Sequence, residues 1–440
     1  PSPFSGEKGE GVVLHHLSAI ETGYPLKEES TFEADDAWVQ PIWDISVRTA
    51  KRCAGETYFD CPYYEQLQYV GDTRIQALIG YYLGRDRALT RNAVETLGWS
   101  LMENGLTQSR YPSRQPQIIP PFSLWWVMML WDQVLYDSPI KGLHPEDSSY
   151  RVLKGYWDYN TKNKRHDEET FWSFVDWVPD WPWGVPPDGN RSTVQNLLLG
   201  LAQVANHFIL NRSTIVIDQQ HEKLVRGFAN TADLLPNQDL VRLRQNKDWT
   251  ASEHAEALYR NILLLCGQIP NPWPTEALAK ANAAKCTYYF SYYKHLAMFG
   301  REDVDETSRS HQNYERGQEP QTFDYLTELN PWKEMIQNGL STFAENPEPV
   351  RSDCHAWSAH PILGFFQIVA GVTSTAPGWK KARIDPRPGN LRSFRANIAH
   401  PDGQLVVAYE NERFEIDSPV DFEMRWKGKR TERKAGKHTF

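Results

Sequence analysis

Three carboxylates stand close together in YFDCPYYEQLQYVGD, residues 58–72: Asp60, Glu65 and Asp72, spaced by five and seven residues. Carboxylates in such a set can do two kinds of work. Ionised, they accept hydrogen bonds from vicinal hydroxyls; protonated, one of them can hand a proton to a leaving group. Gly71–Asp72 reads as a helix entry. The positive end of a helix favours negative charge, so Asp72 is expected to be an ionised hydroxyl ligand, with Asp60 beside it. Tyr63, Tyr64 and Tyr69 crowd Glu65. An aromatic, apolar surround raises a carboxyl pKa, which is the condition a general acid needs. The plainer reading makes Asp72 a helix cap and Glu65 a surface carboxylate.

The second segment is GLSTFAENPEPVRSDCHAWSAHP, residues 339–361. Glu345 follows an apolar approach and is followed by Asn346–Pro347. A residue before proline is driven out of the helical region, so Glu345 is expected at a helix end, facing a cleft. His355, Trp357 and His360 cluster behind it; on the plainer reading these histidines satisfy backbone groups. No HExxH spacing occurs, and no metal or organic cofactor is expected.

Such loops need a frame. From about residue 35 to 370 the sequence reads as ten to twelve helices arranged as successive hairpins. DTRIQALIGYYLG is expected to end at Gly84 and RDRALTRNAVETLGWSLMENG at Gly105. FSLWWVMMLWDQVLYD is apolar all round, the pattern of an inner helix. STIVIDQQHEKLVRGFANTADLL and TEALAKANAAKCTYY read as further helices, and HPILGFFQIVAG as the last, ending at Gly371. Strand–helix alternation is missing, which excludes a TIM barrel or Rossmann fold. An open solenoid and a closed α/α toroid both fit, and the lack of a fixed repeat disfavours the solenoid. The long loops 106–121 and 171–190, rich in Trp, Pro and Asp, are expected to be functional. After Gly371 the pattern turns to period two with turn pairs such as PDG, a small antiparallel β domain. The expected organisation is an extended segment 1–34, a helical domain 35–370 and a β domain 371–440.

Bulk properties narrow the partners. The net charge is −9, and no basic stripe is present, which disfavours nucleic acid. No run of about 18 apolar residues exists to span a membrane. The start PSPFSGEKGE reads as a cut point; the compartment is left open, with periplasmic or secreted favoured over cytoplasmic. The five cysteines are Cys53, Cys61, Cys266, Cys286 and Cys354; they read as buried free thiols, with Cys53 and Cys61 the pair a bridge would join. Aromatic residues make up 12% of the chain, 17 of them Trp, and flat rings suit a sugar-binding cleft, although most should pack between helices.

Residues 58–72 and 339–361, with AGVTSTAPGWKKARIDP further on, resemble the bacterial α-L-rhamnosidases of glycoside hydrolase family seventy-eight, over roughly residues 35–415. The resemblance implies an (α/α)6 toroid followed by a β-sandwich, and exo-acting, inverting hydrolysis of a terminal α-L-rhamnoside. It makes Glu65 the general acid and Glu345 the general base. Asp60 and Asp72 become ligands of sugar hydroxyls, and His355 a sugar contact. Trp177, in FVDWVPDW, resembles the family's aromatic wall. The chain departs from the pattern at two places. The family often has Arg two residues before the acid, where Tyr63 stands, and Trp four residues after it, where Tyr69 stands; these changes bear on the sugar accepted. A uronide would instead call for a cation near the cleft, for which Arg74, Arg110 and Arg114 are candidates. A third reading is a carbohydrate-binding remnant without catalysis, which both carboxylates being present disfavours. Oligomeric state is left open.

Overall fold

The computed structural model describes residues 14–137, 144–161, 171–187, 189, 192–212, 252–265, 283–299, 324–348 and 350–440. The helices among them are α1 (Val39–Arg52), α2 (Val70–Leu83), α3 (Ala88–Trp99), α4 (Pro120–Tyr136), α5 (Pro145–Thr161), α6 (Thr193–Arg212), α7 (Glu253–Leu265), α8 (Tyr288–Phe299), α9 (Tyr325–Glu328), α10 (Asn330–Gln337) and α11 (Pro361–Gly364). A π-turn, Phe365–Val369, continues α11.

Burial sorts these helices into two layers. Every residue of α2 is buried, and α4 is buried along nearly its whole length, as its all-round apolar sequence demands. Pro120 and Pro121 start α4, where their missing N–H groups cost nothing. α1 is amphipathic and buries one face only. The buried helices touch in a circuit: α2 on α4, α4 on α6, α6 on α7, and α7 on α8. α8 then meets the single turn Ala356–Ala359, which packs back on α2. The ring closes, and the fold is the six-hairpin toroid that the family resemblance implies.

Some local boundaries differ from the sequence reading. α3 stops at Trp99 rather than Gly105, because the chain turns at 102–105 with Gly105 at φ +87°. The segment expected to be helical at 213–235 lies outside the described residues, as do 275–282 of the helix expected at 275–289; residues 285–287 carry no helical structure, and helix begins at Tyr288.

The strands are β1 (Thr31–Ala34), β2 (Val372–Ser374), β3 (Lys381–Ile384), β4 (Ser393–His400), β5 (Gly403–Glu410), β6 (Arg413–Ser418), β7 (Asp421–Trp426), β8 (Lys429–Arg433) and β9 (Gly436–Thr439). They form two sheets, β1-β4-β5-β6-β9 and β2-β3-β7-β8. Alternating burial, as in Phe394, Ala396 and Ile398 of β4, turns one face inward. Two features were not legible in sequence. β3 and β7 pair in parallel, the one departure from antiparallel pairing among the described strands. The end of the N-terminal segment is itself a strand, pairing Thr31 with Asn397 and Ala34 with Phe394. Phe32 is fixed there between two layers, its ring stacked 4.9 Å from Phe365 of the helical part and 5.6 Å from Phe394 of the sheet. At the junction of helices and sheets, Gly371 takes φ +70° and accepts a hydrogen bond from the Asp385 N–H at 2.9 Å.

Candidate active site

The candidate residues gather where several buried helices begin. Asp72 lies in the first turn of α2 and Phe122 in that of α4. Asp176 ties down the starts of two more. It accepts a bond from His254 Nε2 near the start of α7 at 2.6 Å, and from the N–H of Thr287, just before α8, at 3.0 Å. Helix N-termini carry partial positive charge, so this end of the ring suits a cluster of carboxylates.

A pocket of about 390 Å³ opens there. Asp60, Glu65, Tyr69, Asp72, Trp177, Glu345 and His355 all line it, so the structure brings together every residue singled out in the sequence as a sugar or proton-transfer ligand. Ile119, Phe122, Trp172, Phe174 and Trp357 complete the wall. The rings of Trp172, Phe174 and Trp177 lie 5.0–5.6 Å apart, centre to centre, tilted 53–59° to one another, and make one aromatic, apolar side. Sequence reasoning named only Trp177; its neighbours sit in the same FWSFVDW run and carried the same signal.

Backbone bonds join the two motif loops. The Ala356 N–H donates to the Asp60 carbonyl at 2.8 Å. The Glu345 N–H donates to the Ser352 carbonyl at 2.9 Å, and Trp357 Nε1 donates to the Glu345 carbonyl at 2.8 Å. Glu345 is therefore held on a loop, not at the helix end expected for it. α10 stops at Gln337, and Gly339, at φ +86°, turns the chain away well before Glu345.

Burial sets the electrostatics. It pushes the Asp60 carboxyl up to about 6, against the pull of His355 and the Leu67 N–H bond. It raises Asp72 well above the ordinary carboxyl range, and raises Glu345 against the opposing fields of His355 and Arg351. His355 is shifted down, again mainly by burial. Its Nε2 lies 3.0 Å from Asp72 Oδ1, and its Nδ1 has no hydrogen-bond partner among the described residues. Glu65 sits further out, its side chain 27% exposed. Tyr69 is buried against it, but Tyr63 and Tyr64 are 79% and 53% exposed and do not enclose the carboxyl as the sequence suggested. Sequence reasoning also missed Arg351. Its Nη2 lies 2.5 Å from Glu65 Oε1 and 4.0 Å from Glu345 Oε2, so those two oxygens stand at most 6.5 Å apart, the two distances combined.

None of the three arginines considered for a uronide lines the pocket. Arg74 is buried in an ion pair with Asp132 at 2.9 Å. Arg110 Nη1 donates to the Tyr69 hydroxyl at 2.5 Å, and Arg114 is exposed and does not line the pocket. His360 is buried outside the pocket, its Nε2 3.0 Å from Ser291 Oγ. Asp60, Cys61 and His355 bring an oxygen, a sulfur and a nitrogen within 4.8 Å of one another, donors that a soft divalent ion accepts. Metals take thiolates, however, and burial pushes the Cys61 thiol up to about 11 while it hydrogen-bonds Asp60 Oδ2 at 3.1 Å. Cys53, Cys61, Cys286 and Cys354 are free thiols; Cys53 Sγ lies 3.9 Å from Cys354 Sγ, not against Cys61. Cys266 lies outside the described residues.

The Asp60 shift has a measurable sign. Between pH 3.8 and about 6 the folded chain keeps a proton on Asp60 that the unfolded chain has released. Stability therefore falls as pH rises through that window, and above it folding carries the whole burden of the buried charge. Asp60→Asn, which keeps an acceptor for the Leu67 N–H, is expected to stabilise the protein at pH 8 by on the order of 1–3 kcal/mol. At pH 4 it should stabilise by far less. Thermal melts at the two pH values check this, and a lower melting temperature at pH 8 would reverse the account.

The sequence matches two family models: the bacterial alpha-L-rhamnosidase six-hairpin glycosidase domain over residues 27–209, and the bacterial alpha-L-rhamnosidase C-terminal domain over residues 371–426. No curated protein matches the chain in sequence. Among solved structures it is similar to the GH78 family rhamnosidase of Bacillus sp. GL1, with 21% identity, a TM-score of 0.62 and 90% of this chain covered against 41% of that one. It is also similar to the alpha-L-rhamnosidase from Dictyoglumus thermophilum (14%, TM-score 0.63, 94% against 50%). The Streptomyces avermitilis alpha-L-rhamnosidase, solved with L-rhamnose, aligns at 12% identity with a TM-score of 0.61 and 93% against 42% coverage. These likenesses carry the fold, and the chain spans half or less of the length of these structures. Among the described residues no helix is long and apolar enough to cross a membrane. The chain belongs to the bacterial alpha-L-rhamnosidase family, of which it carries the six-hairpin glycosidase domain and the C-terminal domain.

Proposed function

We propose that the chain is an exo-acting glycoside hydrolase that releases terminal α-L-rhamnose with inversion at the anomeric carbon. The observation that carries the reading is the pairing, across one pocket mouth, of Glu65 on the first motif loop with Glu345 on the second, above the buried pair Asp60 and Asp72. Glu65, nearer the pocket mouth, is the acid that protonates the glycosidic oxygen. Glu345, deeper and raised by burial, is the base that takes a proton from the attacking water; a carboxylate denied water is a stronger base. Asp60, Asp72 and His355 hold the sugar's hydroxyls, and the Trp172–Trp177 wall takes its apolar face. Asp60 and Glu345 must both be ionised, so activity should fall as pH drops through about 6.

Inverting enzymes hold their carboxyls roughly 6.5–9.5 Å apart, retaining ones about 5–5.5 Å apart. Here the two facing oxygens stand at most 6.5 Å apart with the Arg351 guanidinium drawn up to both, and the inverting reading requires Arg351 to leave before water enters. Proton NMR of the first sugar released from an aryl α-L-rhamnoside is expected to show β-rhamnose. Initial α-rhamnose would make the mechanism retaining. No release from several aryl deoxysugars would move the protein to carbohydrate binding without catalysis.

A further inference from the structure

The groups just outside the two carboxylates have no part in holding the terminal sugar. Tyr63 and Tyr64 are large rings left 79% and 53% exposed, packed edge to face with each other at 5.0 Å. They sit within two residues of Glu65. The general acid meets the glycosidic oxygen from the leaving-group side, so what surrounds its outer edge faces the leaving group. The Arg351 guanidinium lies over the Tyr64 ring at 5.3 Å, its side chain half exposed, and reaches Glu65. An aromatic platform beside an arginine is a site for a pyranose that also bears an anion: the ring face takes the sugar's C–H groups, and the guanidinium fork matches a carboxylate with two parallel hydrogen bonds.

Charge explains why a neutral sugar fits less well. Arg351 hydrogen-bonds the same carboxyl that must reach the glycosidic oxygen. To clear it, the guanidinium has to leave Glu65, and leaving an ion pair without a new anion is unfavourable. A carboxylate on the leaving group gives Arg351 a replacement partner and frees the Glu65 oxygen in the same motion. We propose that Tyr63, Tyr64 and Arg351 form a leaving-group subsite for a uronate, so that the substrate is a rhamnosyl uronate rather than a rhamnosyl neutral sugar. The uronate thus belongs on the far side of the scissile bond from the pocket, away from Arg74 and Arg110. This inference rests on the glycosidase reading above.

The test compares two disaccharides that differ only at C6 of the second sugar, α-L-rhamnosyl-(1→4)-D-glucuronate and α-L-rhamnosyl-(1→4)-D-glucose, with an aryl α-L-rhamnoside as reference. The unaltered protein is expected to show kcat/KM at least tenfold higher on the glucuronate, with the preference shrinking as salt is added. Arg351→Gln should lose at least tenfold more on the glucuronate than on the glucose congener, and Arg351→Lys should recover part of that loss. Equal rates on the two disaccharides, or equal losses on both in Arg351→Gln, would overturn the subsite while leaving the glycosidase reading intact. Failure to cleave any of the three rhamnosides would overturn both. The comparison in the unaltered protein decides the matter whether or not a variant folds.

Discussion

Glu345→Gln and Glu65→Gln should each lower turnover of an aryl α-L-rhamnoside by about 10²–10⁴-fold, the usual contribution of a positioned acid or base, with little change in melting temperature. The reason the fold should survive lies in the environments. Glu345 is a buried carboxyl that burial already penalises, so an uncharged isostere removes a cost rather than a support. Its backbone, not its side chain, is what the loop bonds to, through Ser352 and Trp357. The two losses should also be separable. A leaving group that needs no proton, such as dinitrophenolate, should recover most of the Glu65→Gln deficit and little of the Glu345→Gln deficit. For Glu345→Ala, added azide should restore turnover by filling the space of the missing base, and the glycosyl azide should carry the inverted configuration. Parallel loss of melting temperature and activity would mark either residue as structural, and recovery in the opposite variant would exchange the two roles.

The largest effect on stability is expected far from the pocket, at Gly371. Its φ of +70° is costly for any residue with a Cβ. A Cβ built there would also lie 2.1 Å from the carbonyl carbon of Asp385 and 2.4 Å from the Pro386 nitrogen. Both are backbone atoms, so no rotamer change relieves the contact. Gly371 joins the π-turn Phe365–Val369 to β2, and its carbonyl accepts from Asp385 just after β3. Relief must therefore open the seam between ring and sheets. Gly371→Ala should cost about 3 kcal/mol or more. Denaturant titration measures it. A change below about 1 kcal/mol would mean that the junction yields easily. Gly339→Ala is the internal control: it shares positive φ but has open space around it, and should cost only the backbone term.

What could be read in the sequence was short-range. Asp60, Glu65 and Asp72 belong to one stretch, and their spacing survives folding because loop 60–67 closes on itself through the Asp60 N–H bond to the Leu67 carbonyl. The inner placement of α4 followed from an apolar run with no polar face. What stayed hidden was long-range. Arg351 meets Glu65 across 286 residues, and nothing in VRSDC marks that arginine as different from any other surface one. The exposure of Tyr63 and Tyr64 was hidden too, since aromatic neighbours in sequence suggest enclosure, and only the loop's course turns them outward. The parallel pairing of β3 with β7 fails for the same reason: strand periodicity states which face is buried but is silent about the neighbour's direction.

The pairing of β1 with β4 sets an order on biosynthesis. Thr31 and Asn397 are joined side chain to side chain across 366 residues. At translation rates of about 5–20 residues per second, the early strand waits roughly 20–70 s for its partner to be made. For most of that interval Phe32 has neither of the rings it finally stacks on, and the strand is an unpaired edge leaving the ribosome. Glu33 within β1, and Asp35 and Asp36 just after it, put negative charge on this edge while it waits, a means of keeping nascent chains apart until β4 arrives to claim it.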